Sequence, residues 1–454
     1  MTDVAPPPPA SEVTRADAVV IGAGPAGSAA ATFLAQAGHD VLLLEKESFP
    51  RDKVCGDGLT PRAVKALQRL GLRDEAEGRV PGWGRQEGLR MYGGGVVLDL
   101  PWPVLGDWPA HSVTATRALF DHTLARGAVK AGAQLWEDTE VTGPVWLSTS
   151  QRRVAGVSYR RADGRTGSVR APLVLAADGG SSRFAVQLGL HRDERRPMGV
   201  AVRAYYRSER STMAMMEGFL ELYRDRPGAT PGRQTPGPQT PGPQTPGTSA
   251  KRELLPGYGW IFPLGDGTLN VGWGLLNTSA HFRSTNYRRT LDDWVAGFPA
   301  EWGISKATMV GRPRSAGLPM GHNRRPPVHK GALLVGDAAG MVNPFNGEGI
   351  SYAIEAGAFA AEAADAALRG RSDAVLHNYA QAVQREWGGY YTLGNNFVHI
   401  IGHPTVMRLC TELGMPRRAV MQFVFRMMAH LVDRRSADAT DRIINALSRM
   451  VPAA

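Results

Sequence analysis

Cysteine is the scarcest chemistry-bearing residue of this 454-residue chain, which has only Cys55 and Cys410. Two thiols are too few for an iron–sulfur cluster or a disulfide framework, so a reducing, cytoplasmic setting is expected. Metal-ligand spacing is lacking as well. His399 and His403 lie four apart, but Gly402 and Pro404 interrupt any helix that would face them together, and no metal site is expected. No run reaches the roughly 18 apolar residues a spanning helix needs. Met1 to Arg15 is Pro-rich without an apolar stretch, so it reads as a disordered tail rather than a signal peptide. The chain is therefore expected neither to be exported by a cleaved signal nor to cross a membrane. Lysine is sparse, 7 residues against 45 arginines, within a net charge of +10. No basic run is interleaved with base-stacking aromatics, so nucleic acid is not an expected partner. The charge suits a soluble basic surface or attraction to an anionic lipid face.

Glycine is abundant instead, with 54 residues, and three glycine clusters each follow an apolar strand. The first is Gly22-x-Gly24-x-x-Gly27 after Ala18–Ile21, opening an Ala-rich helix through Pro25, Ala26 and Ser28. Gly22 permits the tight turn, Gly24 lets the backbone approach a pyrophosphate, and Gly27 lets helix and strand pack closely. The helix N-terminus supplies unpaired N–H groups and a positive dipole end for the phosphates. Glu45 closes the next apolar run, about 20 residues on, where an acid hydrogen-bonds a ribose hydroxyl; Lys46 follows it. The second cluster ends Leu173–Ala177 with Asp178 and Gly179. The third places Asp337 after Ala332–Val335 and continues into Asn343-Pro-Phe-Asn-Gly-Glu-Gly-Ile350. Gly347, Gly349 and Ile350 there precede a helix whose dipole would stabilise negative charge on a reduced flavin ring. Three segments in this order suggest a flavin. Arg117 opens a further helix, where the dipole disfavours a cation, and this suggests contact with an anionic ligand.

The expected fold is α/β, a Rossmann-like FAD-binding domain with an inserted β-rich substrate domain and a helical C-terminus. The segments are a tail (1–15), FAD-binding parts at 16–85, 117–185 and 326–370, substrate-domain parts at 86–116 and 186–325, and helices at 371–454. A five-residue repeat from Thr230 to Gly247, inside a Pro/Gly-rich loop at 228–250, cannot bury enough apolar surface to order itself. Near the C-terminus, Ala419 to Val432 is apolar and Met-rich between Arg417, Arg418, Arg434 and Arg435. It reads as a packing helix, an interfacial helix or a wall of an apolar channel.

The stretches Phe49-Pro-Arg-Asp-Lys-Val-Cys-Gly-Asp-Gly58, Tyr258-Gly-Trp-Ile-Phe-Pro263 and Gly336 to Ile350 carry a family resemblance. Over about residues 15–400 the sequence resembles the geranylgeranyl reductase family of FAD-dependent oxidoreductases, relatives of the aromatic hydroxylases. Within that family it looks most like the bacterial menaquinone side-chain reductases. The resemblance implies non-covalent FAD that saturates double bonds of a polyprenyl chain, either a menaquinone side chain or a geranylgeranyl group. It also implies Gly24 to Ser28 at the pyrophosphate, Cys55, Gly56, Asp57 and Gly58 near the flavin ring, and Arg117 and Val141 on the adenosine side. Asp337 falls on the ribityl-phosphate side, and Gly349 and Ile350 at the pyrimidine edge. No second Gly-x-Gly-x-x-Gly is present, so NAD(P)H binds transiently or a separate donor supplies electrons. A polyprenyl substrate implies peripheral contact with the inner face of the cell membrane. A flavin monooxygenase and a non-catalytic prenyl-binding relative are the alternatives; the halogenases' W-x-W-x-I-P motif is absent.

An isolated alkene has no carbonyl to polarise, so its reduction needs hydride at one carbon and a proton at the other, with positive charge developing between. Tyr258, Trp260 and Phe262 alternate along a strand and so share a face, on which they can line an apolar slot and stabilise that charge. No general acid is obvious in the motifs; Cys55 and Tyr258 are the protein candidates and a flavin-adjacent water the third.

Overall fold

The computed structural model describes residues 14–148, 152–225, 252–432 and 438–451. The Thr230 to Gly247 repeat, Arg434 and Arg435 lie outside them. Its centre is a six-stranded sheet in the order Val328–His329, Ala332–Leu334, Leu173–Ala176, Ala18–Ile21, Val41–Leu44 and Gln134–Trp136. All neighbours are parallel except the first pair. Strands Ala18–Ile21, Val41–Leu44 and Leu173–Ala176 are buried along their whole length, which explains their unbroken apolar sequences: helices cover both faces of a parallel sheet. The helices Pro25–Gln36 and Ile350–Gly370 pack on each other through alanines and glycines. A Cβ at Gly357 would lie 2.6 Å from the Ala26 carbonyl oxygen. Because the three glycine clusters follow adjacent parallel strands, they emerge at one edge of the sheet, where such folds bind ligands.

A seven-stranded sheet lies beside it, ordered Met309–Pro319, Met198–Arg207, Thr268–Leu276, Gly257–Pro263, Met215–Phe219, Gly88–Gly93 and Val96–Pro101. Its pairings are antiparallel except that of Met215–Phe219 with Gly88–Gly93. The turn Gly265-Asp266-Gly267 joins Gly257–Pro263 to Thr268–Leu276, with positive φ at both glycines. One face buries Val202, Tyr206, Ile261, Val271 and Trp273 against the helix Tyr287–Val295. Thr14 and Arg15, read as tail, form a short strand paired in parallel with Val169 and Arg170.

The C-terminal region is helical, at His377–Ile401, Pro404–Gly414, Arg418–Met428 and Ala439–Arg449. The apolar stretch after Arg418 packs with one face: Met421 and Phe425 are buried, and Phe425 stacks on Trp102 with centroids 4.6 Å apart. Its other face is open. No helix among the described residues is long and apolar enough to cross a membrane, and no cluster of His, Cys, Asp or Glu there is arranged to hold a metal.

Candidate flavin site

The glycines of the first cluster differ in what surrounds them. Gly22 has φ +92°, and a Cβ there would sit 2.7 Å from the Ala177 carbonyl oxygen, so the first loop presses on the second segment. At Gly27 a Cβ would fall 1.9 Å from the Gly22 oxygen, which only glycine avoids. At Gly24 the nearest atom is Arg51 Nη2 at 4.0 Å. Gly24 is therefore the open position, and it caps the helix Pro25–Gln36 without a side-chain hydrogen bond, leaving first-turn amides for an anion. Pro25 is the first helical residue, and Ala26 packs on Gly336 of the third segment, 2.9 Å from where its Cβ would be. Ser28 does not face the opening: its hydroxyl donates to Ala23 O and its amide to Gly24 O.

Glu45 is buried, and its Oε2 accepts from the Ala23 amide at 2.9 Å and from Arg51 Nη2 at 3.1 Å. Lys46 extends beside Glu47, 65 % exposed. The cation that reaches the loop is Arg51, whose Nη1 also donates to Asp121 at 2.6 Å. Asp121 in turn takes both Nε and Nη2 of Arg117 at 2.7 and 2.8 Å. Arg117 thus does not depend on a ligand for its counter-charge, as its place at a helix start suggested; the acid one turn on provides it. Arg51 and Asp121 escape sequence reasoning because each gains its role from a partner 70 residues away.

The loop Cys55–Gly58 lies flat against the aromatic strand. A Cβ at Gly56 would be 3.3 Å from the Phe262 ring and 3.6 Å from Trp260 Nε1, and one at Gly58 3.1 Å from Phe262. Tyr258, Trp260 and Phe262 do share a face, with successive ring centroids 5.8 and 6.3 Å apart. Tyr258 donates from its hydroxyl to Asn346 O at 2.6 Å, which seats the row against the third glycine segment. Asp57 is not aimed at the opening. It is fully buried at φ +63°, and its Oδ2 accepts from Tyr205 OH at 2.7 Å and Asn270 Nδ2 at 2.8 Å. Burial pushes its pKa up to about 7 against those hydrogen bonds. Burial also raises the Cys55 thiol, against the pull of nearby Arg117, and the Tyr258 phenol, so both hold their protons at neutral pH.

The second and third segments are stitched together by cations. Lys53 lies 3.4 Å from Asp337 Oδ2 and 3.6 Å from where a Gly179 Cβ would be. Arg324, which the sequence did not single out, is 2 % exposed and donates to Ala338 O at 2.7 Å and Gly180 O at 3.4 Å. Asp178 has Oδ2 3.4 Å from the Phe184 amide and Oδ1 buried without a partner. Gly347 has φ +76°, and Gly349 caps the helix that begins at Ile350 without a side-chain bond, so a second helix N-terminus opens on the same edge. Val141 stands on the strand Thr139–Trp146, half-buried against the core of the parallel sheet.

An open Gly24, two uncapped helix N-termini and acids at the ends of adjacent strands suit a dinucleotide with a charged ring system. A family model described as an FAD binding domain matches residues 15–386. The chain is 35 % identical over 437 residues to the menaquinone reductase of Mycolicibacterium smegmatis, covering 95 % of each. It is 30 % identical over 376 residues to digeranylgeranylglycerophospholipid reductase 1 of Methanopyrus kandleri, covering 82 % of this chain and 85 % of that one. A geranylgeranyl bacteriochlorophyll reductase-like protein from Thermoplasma acidophilum shares the fold, with TM-score 0.72 at 21 % identity over 96 % of this chain and all of that one. The chain is an FAD-dependent oxidoreductase and belongs to the FAD binding domain family.

Proposed function

We infer that this protein reduces isoprenoid double bonds of a polyprenyl lipid, with a menaquinone side chain as the first choice of substrate. The relatives' activities support the reaction class. The observation that carries the reading to this chain is the aromatic row Tyr258, Trp260 and Phe262 laid against the Cys55–Gly58 loop.

Reduced FAD supplies a hydride equivalent when bound. The first-turn amides after Gly24 and the Arg51 guanidinium would hold its pyrophosphate, and Asp178 and Asp337 would serve its polar linker. The N-terminus of Ile350–Gly370 would stabilise negative charge that the ring gains on reduction. On the substrate side, the row presents π faces to a flat apolar chain and to positive charge developing on it. Cys55 Sγ–H holds the proton for the second carbon: its sulfur accepts from the Asp57 amide at 3.3 Å, which leaves the S–H to donate. Tyr258 has already given its O–H to Asn346.

Access to a lipid tail calls for contact with a membrane surface. Ile400, Leu409, Leu413 and Val420, on three successive C-terminal helices, are 59, 55, 51 and 44 % exposed, with Arg417 and Arg418 exposed beside them. Apolar residues with flanking arginines suit a peripheral contact with an anionic leaflet. The reading is tested by mass spectrometry of cellular quinones and prenyl lipids with and without the gene. A substrate pool lacking two hydrogens per reduced bond in the deletion strain supports it, and unchanged prenyl lipids overturn it.

A further inference from the structure

Asp57 places a carboxyl at a position whose backbone and hydrogen bonds do not require one. Its φ of +63° is left-handed, which asparagine or glycine would meet as well. An asparagine oxygen would also accept from Tyr205 OH and Asn270 Nδ2, which reach Asp57 Oδ2 at 2.7 and 2.8 Å. A fully buried carboxyl is costlier than an amide, and such groups gather at functional sites. The other oxygen, Oδ1, is buried with no hydrogen-bond partner among the described residues. Ionised, it would carry unmatched charge, so Oδ1 is the atom on which a proton is held.

This carboxyl and the Cys55 thiol belong to one pinned turn. The Asp57 amide donates to Cys55 Sγ at 3.3 Å, and Asn270 Nδ2 bridges Cys55 O and Asp57 Oδ2 at 2.8 Å each. On the other side a polar lane leads outward. Tyr205 is half-buried, and the Arg203 guanidinium lies over its ring, 4.0 Å from the centroid. Arg203 is ion-paired with Asp52, which the half-exposed Arg314 also meets at 3.3 Å. The groups that act on Asp57 are thus Tyr205 and Arg203 from Met198–Arg207, Asn270 from Thr268–Leu276, Arg117 from its helix and Cys55 from its own loop. Burial outweighs the hydrogen bonds and the two guanidinium groups, so the carboxyl exchanges its proton near neutrality, at about 7.

We propose that Asp57 is the proton reservoir that reloads the Cys55 thiol, with the Tyr205 hydroxyl as its link to solvent. The inference rests on the role of Cys55 given above, and Asp57 acts through that thiol without touching substrate. When Cys55 S–H gives its proton to the alkene carbon, a thiolate remains. The Asp57 O–H proton passes to the thiolate, the new carboxylate takes the Tyr205 O–H proton, and Tyr205 regains one from water. Only protons move, and thiol, carboxyl and phenol end as they began.

The test uses FAD-loaded protein carrying Cys410→Ser, so that Cys55 is the only thiol, and begins without substrate. Infrared difference spectra should show a protonated-carboxyl C=O band that is lost as pH rises through about 7, with a shift of the Cys55 S–H band over the same range. Asp57→Asn should abolish both changes. A parent without the carboxyl band, or an S–H band that shifts equally in Asp57→Asn, overturns the proposal. Rapid mixing with a prenyl substrate then separates the relay from a structural role. In Tyr205→Phe the first flavin reoxidation should keep the parent's rate, because Cys55 starts loaded, while later turnovers slow at least about ten-fold. Later turnovers at the parent's rate, or a first turnover slowed as much as the rest, overturn the relay. A parent that no prenyl substrate reoxidises fails the reading on which the relay rests, and the infrared result tells that failure apart from failure of the reservoir.

Discussion

Asn270 holds the indole of Trp260: the ring Nε1–H donates to its Oδ1 at 2.8 Å, and its own Nδ2 donates to Cys55 O and Asp57 Oδ2, both at 2.8 Å. One fully buried amide thus fixes the aromatic row and the Cys55–Gly58 loop against each other. Replacing it with Leu, of similar volume, leaves an indole N–H and a carbonyl unpaired at once and the Asp57 carboxylate with Tyr205 alone. Asn270→Leu should cost roughly 1–3 kcal/mol of stability. It should also lower kcat by more than it lowers flavin content, as thermal melting, absorbance and steady-state kinetics would show.

Asp57 makes stability depend on pH in a defined sense. Its folded pKa is about 7 against an ordinary 3.8. Within that window the folded protein keeps a proton that the unfolded chain has released, so this group favours folding at low pH and the benefit is lost as pH rises towards 7. Asp57→Asn keeps an acceptor for Tyr205 and Asn270 but cannot ionise. Relative to the parent it should gain on the order of 2 kcal/mol between pH 5 and pH 8. Equal pH slopes in denaturant titrations of the two proteins would contradict the assignment.

The two glycines of the first loop should fail differently. Gly27→Ala forces a Cβ into the Gly22 carbonyl, so it should destabilise the fold itself. Gly24→Asp meets open space on the protein side and should leave a folded chain, with melting like that of flavin-stripped parent, that no longer retains FAD. Full FAD occupancy in Gly24→Asp would remove this loop from the cofactor site.

Leu409→Asp with Leu413→Asp changes two half-exposed positions of the helix Pro404–Gly414. Sedimentation with anionic liposomes should show loss of binding, while reduction of a short, detergent-dispersed prenyl substrate persists. Liposome binding equal to the parent's would move the membrane contact elsewhere.

The parallel sheet and its glycine edge were legible because fully buried strands read as unbroken apolar runs and because Gly22 and Gly27 occupy positions no other residue fits. The aromatic row was legible from period-two spacing alone. What the sequence did not disclose depends on pairings across the fold. Arg324 acquires meaning only where Gly180 and Ala338 come together, and Asn270 only where the Cys55 loop is laid on its strand. The direction of Lys46 was not legible either, because adjacency to Glu45 in sequence does not fix where the side chain points, and it extends beside Glu47. The counter-ion of Arg117 is Asp121 on the same helix face, which its place at the helix start did not by itself disclose.

The central claim is that this chain delivers hydride to an isoprenoid double bond. It is tested most directly by mixing reduced, FAD-loaded protein with an unsaturated menaquinone under strict anaerobiosis, following flavin absorbance and then the mass of the isolated side chain. The account predicts flavin reoxidation with a gain of two hydrogens in the polyprenyl tail, and loss of that step in Trp260→Ala. A flavin that stays reduced, or one that reoxidises while only the quinone ring gains hydrogen, would contradict it.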